Sequence, residues 1–339
     1  MAFNVYGSTQ SSGSEKKSDV DWQALNQFVV DTAQLQERET LVGYVSSIVD
    51  LGIQSFDDAE YVSDIDPEDE EDYIDDNPTH YFKDGIDPEK KTPCRLKCVP
   101  QKDQQAVAIS IDFPDIIIDK GQFFGESNPK PLRLWMGNQF YLPSAGKMVV
   151  GRPTSLKVTN LDKTRKTKKW SFAQNHIFYK MAVAAKLIKA GECFLPNDID
   201  KLLGESFQFA AQVYFKESKD KQYYTEYVNF VGALGRGQKV PELVTEPFTI
   251  EFNGKNKVEH LKEIRSHVLN TMQMAKNWEG SAIQKQLEGI KNASGSDNEA
   301  EDEPVPSQEE KKSAKAVSAK AKKPPVEPED EFDEESLPF

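Results

Sequence analysis

Two apolar runs constrain this chain more than anything else in it, because both are rich in β-branched residues and far longer than an ordinary strand of about 5–6 residues. The first, LVGYVSSIVDLGI (41–53), is interrupted by Gly43 and Gly52. It reads as one long bent strand, with glycine where a barrel corner or a bulge needs it. The second is QAVAISIDFPDIIID (105–119). Weaker strand signals follow at 131–137 and 139–142, and fainter ones at 147–158. Two more strand candidates, SFQFAAQVYFK (206–216) and QYYTEYVNFVGAL (222–234), are joined by the polar stretch ESKDK, a hairpin spacing.

Helical spacing is confined to three places. Trp22, Leu25, Phe28, Val29 and Leu35 predict a short amphipathic helix over about 20–37. In SFAQNHIFYKMAVAAKLIKAG (171–191), Ile177, Met181, Ala184, Ala185 and Ile188 share a face, with Gly191 as the stop. A segment rich in Leu, Ile, Met and Lys (257–291) predicts a helical appendage. The order is strands, one helix, then two strands. A mainly β (α+β) fold is expected, an OB-fold-like five-stranded barrel over 20–250, although other α+β folds give similar strings. Residues 54–104, with an acid run and Pro67, Pro78, Pro88, Pro93 and Pro100, read as an insertion between the first two strands. A flexible leader (1–19), a helical segment (251–293) and a disordered acidic tail (294–339) complete the expected plan.

Charge is segregated. The chain of 339 residues carries a net −14 and a pI near 4.9. Residues 57–76 hold twelve acids and no bases, and residues 294–339 a net −8, so the remainder is +6. Within 147–189 there are eleven Lys or Arg against one acid, Asp162. A basic surface attracts phosphate whatever the overall pI.

The basic stretch KMVVGRPTSLKVTNLDKTRKTKKWSF (147–172) interleaves cations with rings. Nonspecific single-strand binding needs both, cations for phosphates and flat rings for bases. Candidate contacts are Lys147, Arg152, Lys157, Lys163, Arg165, Lys166, Lys168 and Lys169 for phosphate, with Trp170 and Phe172 for stacking. Arg133 and Trp135 lie upstream, and Tyr223, Tyr224 and Tyr227 offer a second platform. Strand alternation puts Tyr223 and Tyr227 on one face and Tyr224 on the other, one of them core.

The tail ends in seven acids between Glu327 and Glu335, then Ser336, Leu337, Pro338 and Phe339. This tip resembles that of bacterial and bacteriophage single-stranded DNA-binding proteins, with Ser336 where many relatives have another acid. The region 41–234 is also similar to phage-encoded OB-fold members of that family. Gly43-Tyr44-Val45, Val49-Asp50-Leu51-Gly52, Asp112-Phe113-Pro114 and Leu202-Leu203-Gly204 carry that likeness. The resemblance implies a sequence-nonspecific binder of single-stranded DNA in replication, recombination or repair. It also implies a tail that recruits DNA polymerase, helicase or primase through Asp330, Glu331, Phe332, Asp333, Glu334, Glu335, Leu337, Pro338 and Phe339. Opposite charges on one tether also predict that the tail competes with DNA for the basic stretch.

Other readings are weaker. The acids of 57–76 are a solvated insertion, a nucleic-acid mimic or a divalent-metal site; their spacing does not fit an EF-hand. Cys94 and Cys98 invite zinc with His80 and Cys193, but no second close pair exists, so no metal and no cofactor are expected. His176 reads as a polar-face or core residue. Gly232, Gly235 and Gly237 read as a strand-end turn, since Pro241 precludes a following helix. Enzymatic signatures are missing, and the expected class is a non-enzyme. Few cysteines and no apolar span point to the cytoplasm, with no membrane and a possible homo-oligomer. The rival reading is an acidic interaction protein, a nucleic-acid mimic with no DNA affinity.

Overall fold

The computed structural model describes residues 20–162, 164, 166–218 and 221–293. The leader, Lys163, Arg165, Lys219, Asp220 and everything from Ser294 onward lie outside the described residues.

Long strands dominate. β1 (Glu39–Gln54) pairs antiparallel with β5 (Gln104–Asp119), and β5 with β6 (Pro129–Trp135). On its other edge β1 pairs with β12 (Ser206–Ser218), which forms a hairpin with β13 (Lys221–Gly232). The ladder therefore runs β13-β12-β1-β5-β6. Its two ends come together, so the sheet is a nearly closed antiparallel barrel. Two short strands join the sheet, β9 (Thr154–Ser155) beside β5 and β14 (Phe248–Ile250) parallel to β1.

The bend of β1 has a visible cause. Val45 faces Ile111 and Ser47 faces Ser110, leaving Ser46 as the extra residue of a bulge. The hydroxyls of Ser46 and Ser47 both meet that of Ser110, at 2.7 and 2.6 Å, so three buried polar groups satisfy one another. A second register shift falls between Asp50 and Ile53. There Gly52 has φ +76°, and a β-carbon would lie 2.6 Å from the Phe252 ring. Gly52 is thus glycine both for its backbone and to admit the C-terminal segment.

The inner face of the sheet holds one core, built from Val45, Ile48, Val107, Ile109, Ile111, Phe113, Leu132, Leu134, Phe207, Phe209, Ala211 and Val213. It is completed by α1 (Trp22–Ala33) and by α4 (Ile177–Ala184). Asp21 caps α1 by accepting the Ala24 N–H at 3.0 Å. The outer face of β1, β5 and β6 holds a second core: Val49, Leu51, Ala106, Ala108 and Trp135, with Phe248, Ile250 and Phe252. Three helices cover it: α5 (Val258–Leu261), α6 (Ser266–Gln273) and α7 (Ala282–Ala293).

Residues 54–104, expected as an irregular acidic loop, have structure of their own. β2 (Ala59–Val62), β3 (Tyr81–Ile86) and β4 (Pro93–Val99) make a three-stranded sheet with β4 in the middle. The acidic helix α2 (Glu70–Asp76) packs on one face, with Tyr73 against Phe82 and the Glu70 carboxylate gripping Arg95 at 2.7–2.8 Å. The excursion begins and ends on one rung of the barrel, since Gln54 pairs with Gln104.

Two helix expectations are corrected. The helix over 171–191 is only α4, 177–184. His176 caps its start, β11 (Trp170–Ser171) precedes it, and Lys186 at φ 59° ends the helical path before Gly191 is reached. The appendage over 257–291 is three short helices and not one. A one-turn helix α3 (Gly121–Phe124) and the small ladders β7 (Gln139–Leu142) with β8 (Lys147–Val150), and β10 (Thr159–Asn160) with β11, complete the fold.

Candidate nucleic-acid interface

Asn160 and Asp162 give the basic stretch a definite shape. The Asn160 side-chain oxygen accepts the N–H groups of Asp162 (3.1 Å) and Lys169 (3.0 Å), and its amide donates to the Thr167 carbonyl at 2.8 Å. The Asp162 carboxylate accepts four hydrogen bonds, from the N–H and hydroxyl of Thr164 (2.9 and 2.6 Å) and of Thr167 (both 2.7 Å). These bonds hold its pKa well below the usual carboxylate range. The one acid of the stretch therefore organises the loop between β10 and β11. Lys166, Lys168 and Lys169 project from that loop, exposed. Trp170 sits at its end, opposite Asn160, with half of its surface exposed (51%).

The loop is anchored to the barrel. Leu156 and Leu161 pack on the inner core, and Phe172 is buried in it. His176 stacks on Phe172 with centroids 4.5 Å apart. Its Nδ1 caps α4 at Phe178 N, so it is the Nε2 that donates to the Ser155 carbonyl, at 3.0 Å. Burial lowers the His176 pKa, which keeps the imidazole neutral for that double role.

Four expected contacts lie elsewhere. Phe172 is 0% exposed, and a ring with no free face cannot stack a base. Trp135 is 2% exposed, lies in the outer core and meets His267 edge-on at 6.0 Å. Arg133 is committed to the fold. Its guanidinium holds buried Asp112 through two bonds, at 2.7 and 3.0 Å, and reaches Glu263 and Thr245 at 3.3 Å. Tyr224 points to the core side, edge-on to Phe215, and donates to Glu226 at 2.7 Å. Alternation had marked the two faces of β13; the buried Glu226 and Val228 decide between them.

The remaining cations are spread out. Lys147 is half-buried, 3.4 Å from Gln273. Arg152 and Lys157 are exposed on the chain leading to the loop. Lys163 and Arg165 lie outside the described residues, as do Asp330 to Phe339.

Tyr223 and Tyr227 face outward, and the hairpin register adds residues that the sequence reading missed. Lys216 stands opposite Tyr223, Gln212 opposite Tyr227, and Tyr214 opposite Thr225. Cross-strand partners share a face. The Arg38 guanidinium lies 4.4 Å from the Tyr227 centroid. The symmetry of the hairpin around ESKDK was the available signal for Tyr214 and Lys216. Arg38 is 189 residues from Tyr227 in sequence, and only the fold joins them.

Metal sites fare poorly. Cys94 and Cys98 are four residues apart along β4, hence ~13 Å apart and unable to share an ion. Among the described residues no group of three or more His, Cys, Asp or Glu could hold a metal, and no helix is long and apolar enough to cross a membrane.

No protein-family profile matches the sequence. No curated protein and no solved structure is significantly similar to it.

Proposed function

We propose that this protein binds single-stranded DNA without sequence preference, on an OB-type barrel, in phage-type replication, recombination or repair. The strand path supports the barrel type. Three strands (β1, β5, β6) precede a helix and two strands (β12, β13) follow it, with β12 returning to β1 and β13 to β6. The observation that carries the functional reading is the loop braced by Asn160 and Asp162. A mere solvated lysine run has no need of seven hydrogen bonds fixing its shape. Fixed cations beside an exposed indole are what a phosphate backbone with unpaired bases requires.

The second half of the proposal concerns residues 327–339 and rests on sequence alone. An acidic run before Leu337, Pro338 and Phe339 suits a portable peptide that docks on basic, apolar pockets of replication proteins such as a polymerase, helicase or primase.

Titrating the chain with fluorescent oligothymidine at about 50 and 200 mM salt tests the reading. Binding is expected to be strongly salt-sensitive and to quench tryptophan emission. Reversing Lys166, Lys168 and Lys169 together to Glu abolishes it. No binding at the lower salt overturns the proposal and favours the acidic-mimic reading. That alternative is supported by the ordered display of Glu68 to Asp76 around α2.

A further inference from the structure

We infer that the bases of the bound strand stack on the outer face of the β12–β13 hairpin, a site made of Tyr214, Tyr223 and Tyr227 with Lys216 and Arg38; this rests on the single-strand reading above. Three observations lead there.

The first is occlusion. A five-stranded OB barrel offers its ligand the face of its second and third strands, which here are β5 and β6. Their outer face is filled: Ala106, Ala108 and Trp135 are buried beneath β14, α5, α6 and α7. Arg133 and Asp112 on the same side are tied to Thr245 and Glu263 of the covering segment. Arg265, from the same segment, clasps Glu226 of β13 with two bonds at 2.8 Å and donates to the Arg133 carbonyl on β6 at 2.8 Å. DNA could reach that wall only by removing a core.

The second is chemistry. Tyr214, Tyr223 and Tyr227 are half-buried and belong to neither core. Tyr223 and Tyr227 are ~13 Å apart along one strand. Every base has a π-face, so rings of this kind accept any sequence. An arginine plane over Tyr227 extends the stacking surface and adds charge.

The third is complementarity. Lys216 beside Tyr223 places a cation where a phosphate linking stacked bases would run. The ligand class is therefore unpaired nucleobases on a sugar–phosphate chain, and not duplex, whose bases are already stacked.

The experiment compares oligothymidine with an abasic oligonucleotide of equal length, using the full chain, its Tyr223→Ala/Tyr227→Ala double variant and the Tyr→Phe counterpart. The Ala variant is expected to lose roughly 10-fold to 100-fold in affinity for oligothymidine. Its affinity for the abasic strand and its salt slope stay unchanged, and the Phe counterpart binds as the parent. Photocrosslinking of the unaltered chain to 5-iodouracil DNA is expected to label Tyr214, Tyr223 or Tyr227. A parent that binds neither oligonucleotide overturns the single-strand reading itself. A parent that binds, with an indifferent Ala variant and crosslinks only elsewhere, overturns this inference alone.

Discussion

The barrel has two outer walls made by the same alternation of residues, one covered by the chain itself and the other left half-exposed. On β1 and β5 most outward positions are small or apolar (Ser47, Val49, Leu51, Ala106, Ala108, Ser110), and a C-terminal segment has been laid over them together with Trp135 and the Asp112–Arg133 pair. On β12 and β13 the outward positions are Gln212, Tyr214, Lys216, Tyr223, Thr225 and Tyr227, which suit partial contact with water. Small and apolar side chains leave room for the side chains of that segment, Phe248, Ile250 and Phe252 among them, to pack down onto the sheet. Large amphipathic ones tolerate partial exposure.

Breaking the covered wall is expected to cost stability. Asp112→Ala leaves the buried Arg133 with only its longer contacts to Glu263 and Thr245, a loss of about 3 kcal/mol on urea unfolding. A cost below ~1 kcal/mol would mean that this wall is looser than its hydrogen bonds indicate.

The same wall is also expected to be acid-sensitive. Burial, reinforced by Arg265, pushes the His267 pKa down from 6.5 to about 3. Between those values the unfolded state binds the extra proton. The stabilisation is therefore complete above about pH 6.5 and is lost as pH falls toward 3, at up to about 1.4 kcal/mol per pH unit. His267→Leu should flatten that part of the stability–pH curve relative to the parent.

On the exposed side, Asp162→Asn sharpens the contrast between charge and shape. Removing the one acid of the basic stretch would tighten DNA binding if charge alone mattered. Loss of loop order is expected instead to weaken it by roughly tenfold, with a shallower salt slope as phosphate contacts disappear. The smallest effect is optical. Trp170→Phe should remove most DNA-induced quenching. Trp135→Phe should retain it and cost only about 1 kcal/mol, since the Trp135 N–H has no partner among the described residues.

Strands with long, β-branched-rich apolar runs were legible in the sequence to within a few residues. The runs 41–53 and 105–119 are the cores of β1 and β5, and the ESKDK hairpin is β12–β13. What alternation could not decide was which face of a strand meets what. Arg133 and Trp135 stand together on β6 and look like a cation beside a stacking ring, yet both point beneath a covering segment whose helices are short and broken. The indole of Trp170 and that of Trp135 are chemically equivalent, and only long-range packing separates them. The loop geometry was hidden for another reason. Asp162 read as a lone opposing charge, whereas its hydrogen bonds depend on the turn that brings Thr164 and Thr167 to it.

The paired rung at Gln54 and Gln104 bears on how such a chain finds its fold. Joining β1 to β5 looks slow, because many residues separate them and closing a long loop costs entropy. The inserted sheet changes the distance that matters. Once Ala59 pairs with Val99, only residues 55–58 and 100–103 remain between that ladder and the barrel. The small acidic sheet, whose β3–β4 hairpin is local, can form first and bring the two long strands to their starting rung. Zippering of β1 on β5 then begins as a hairpin would, from a closed end.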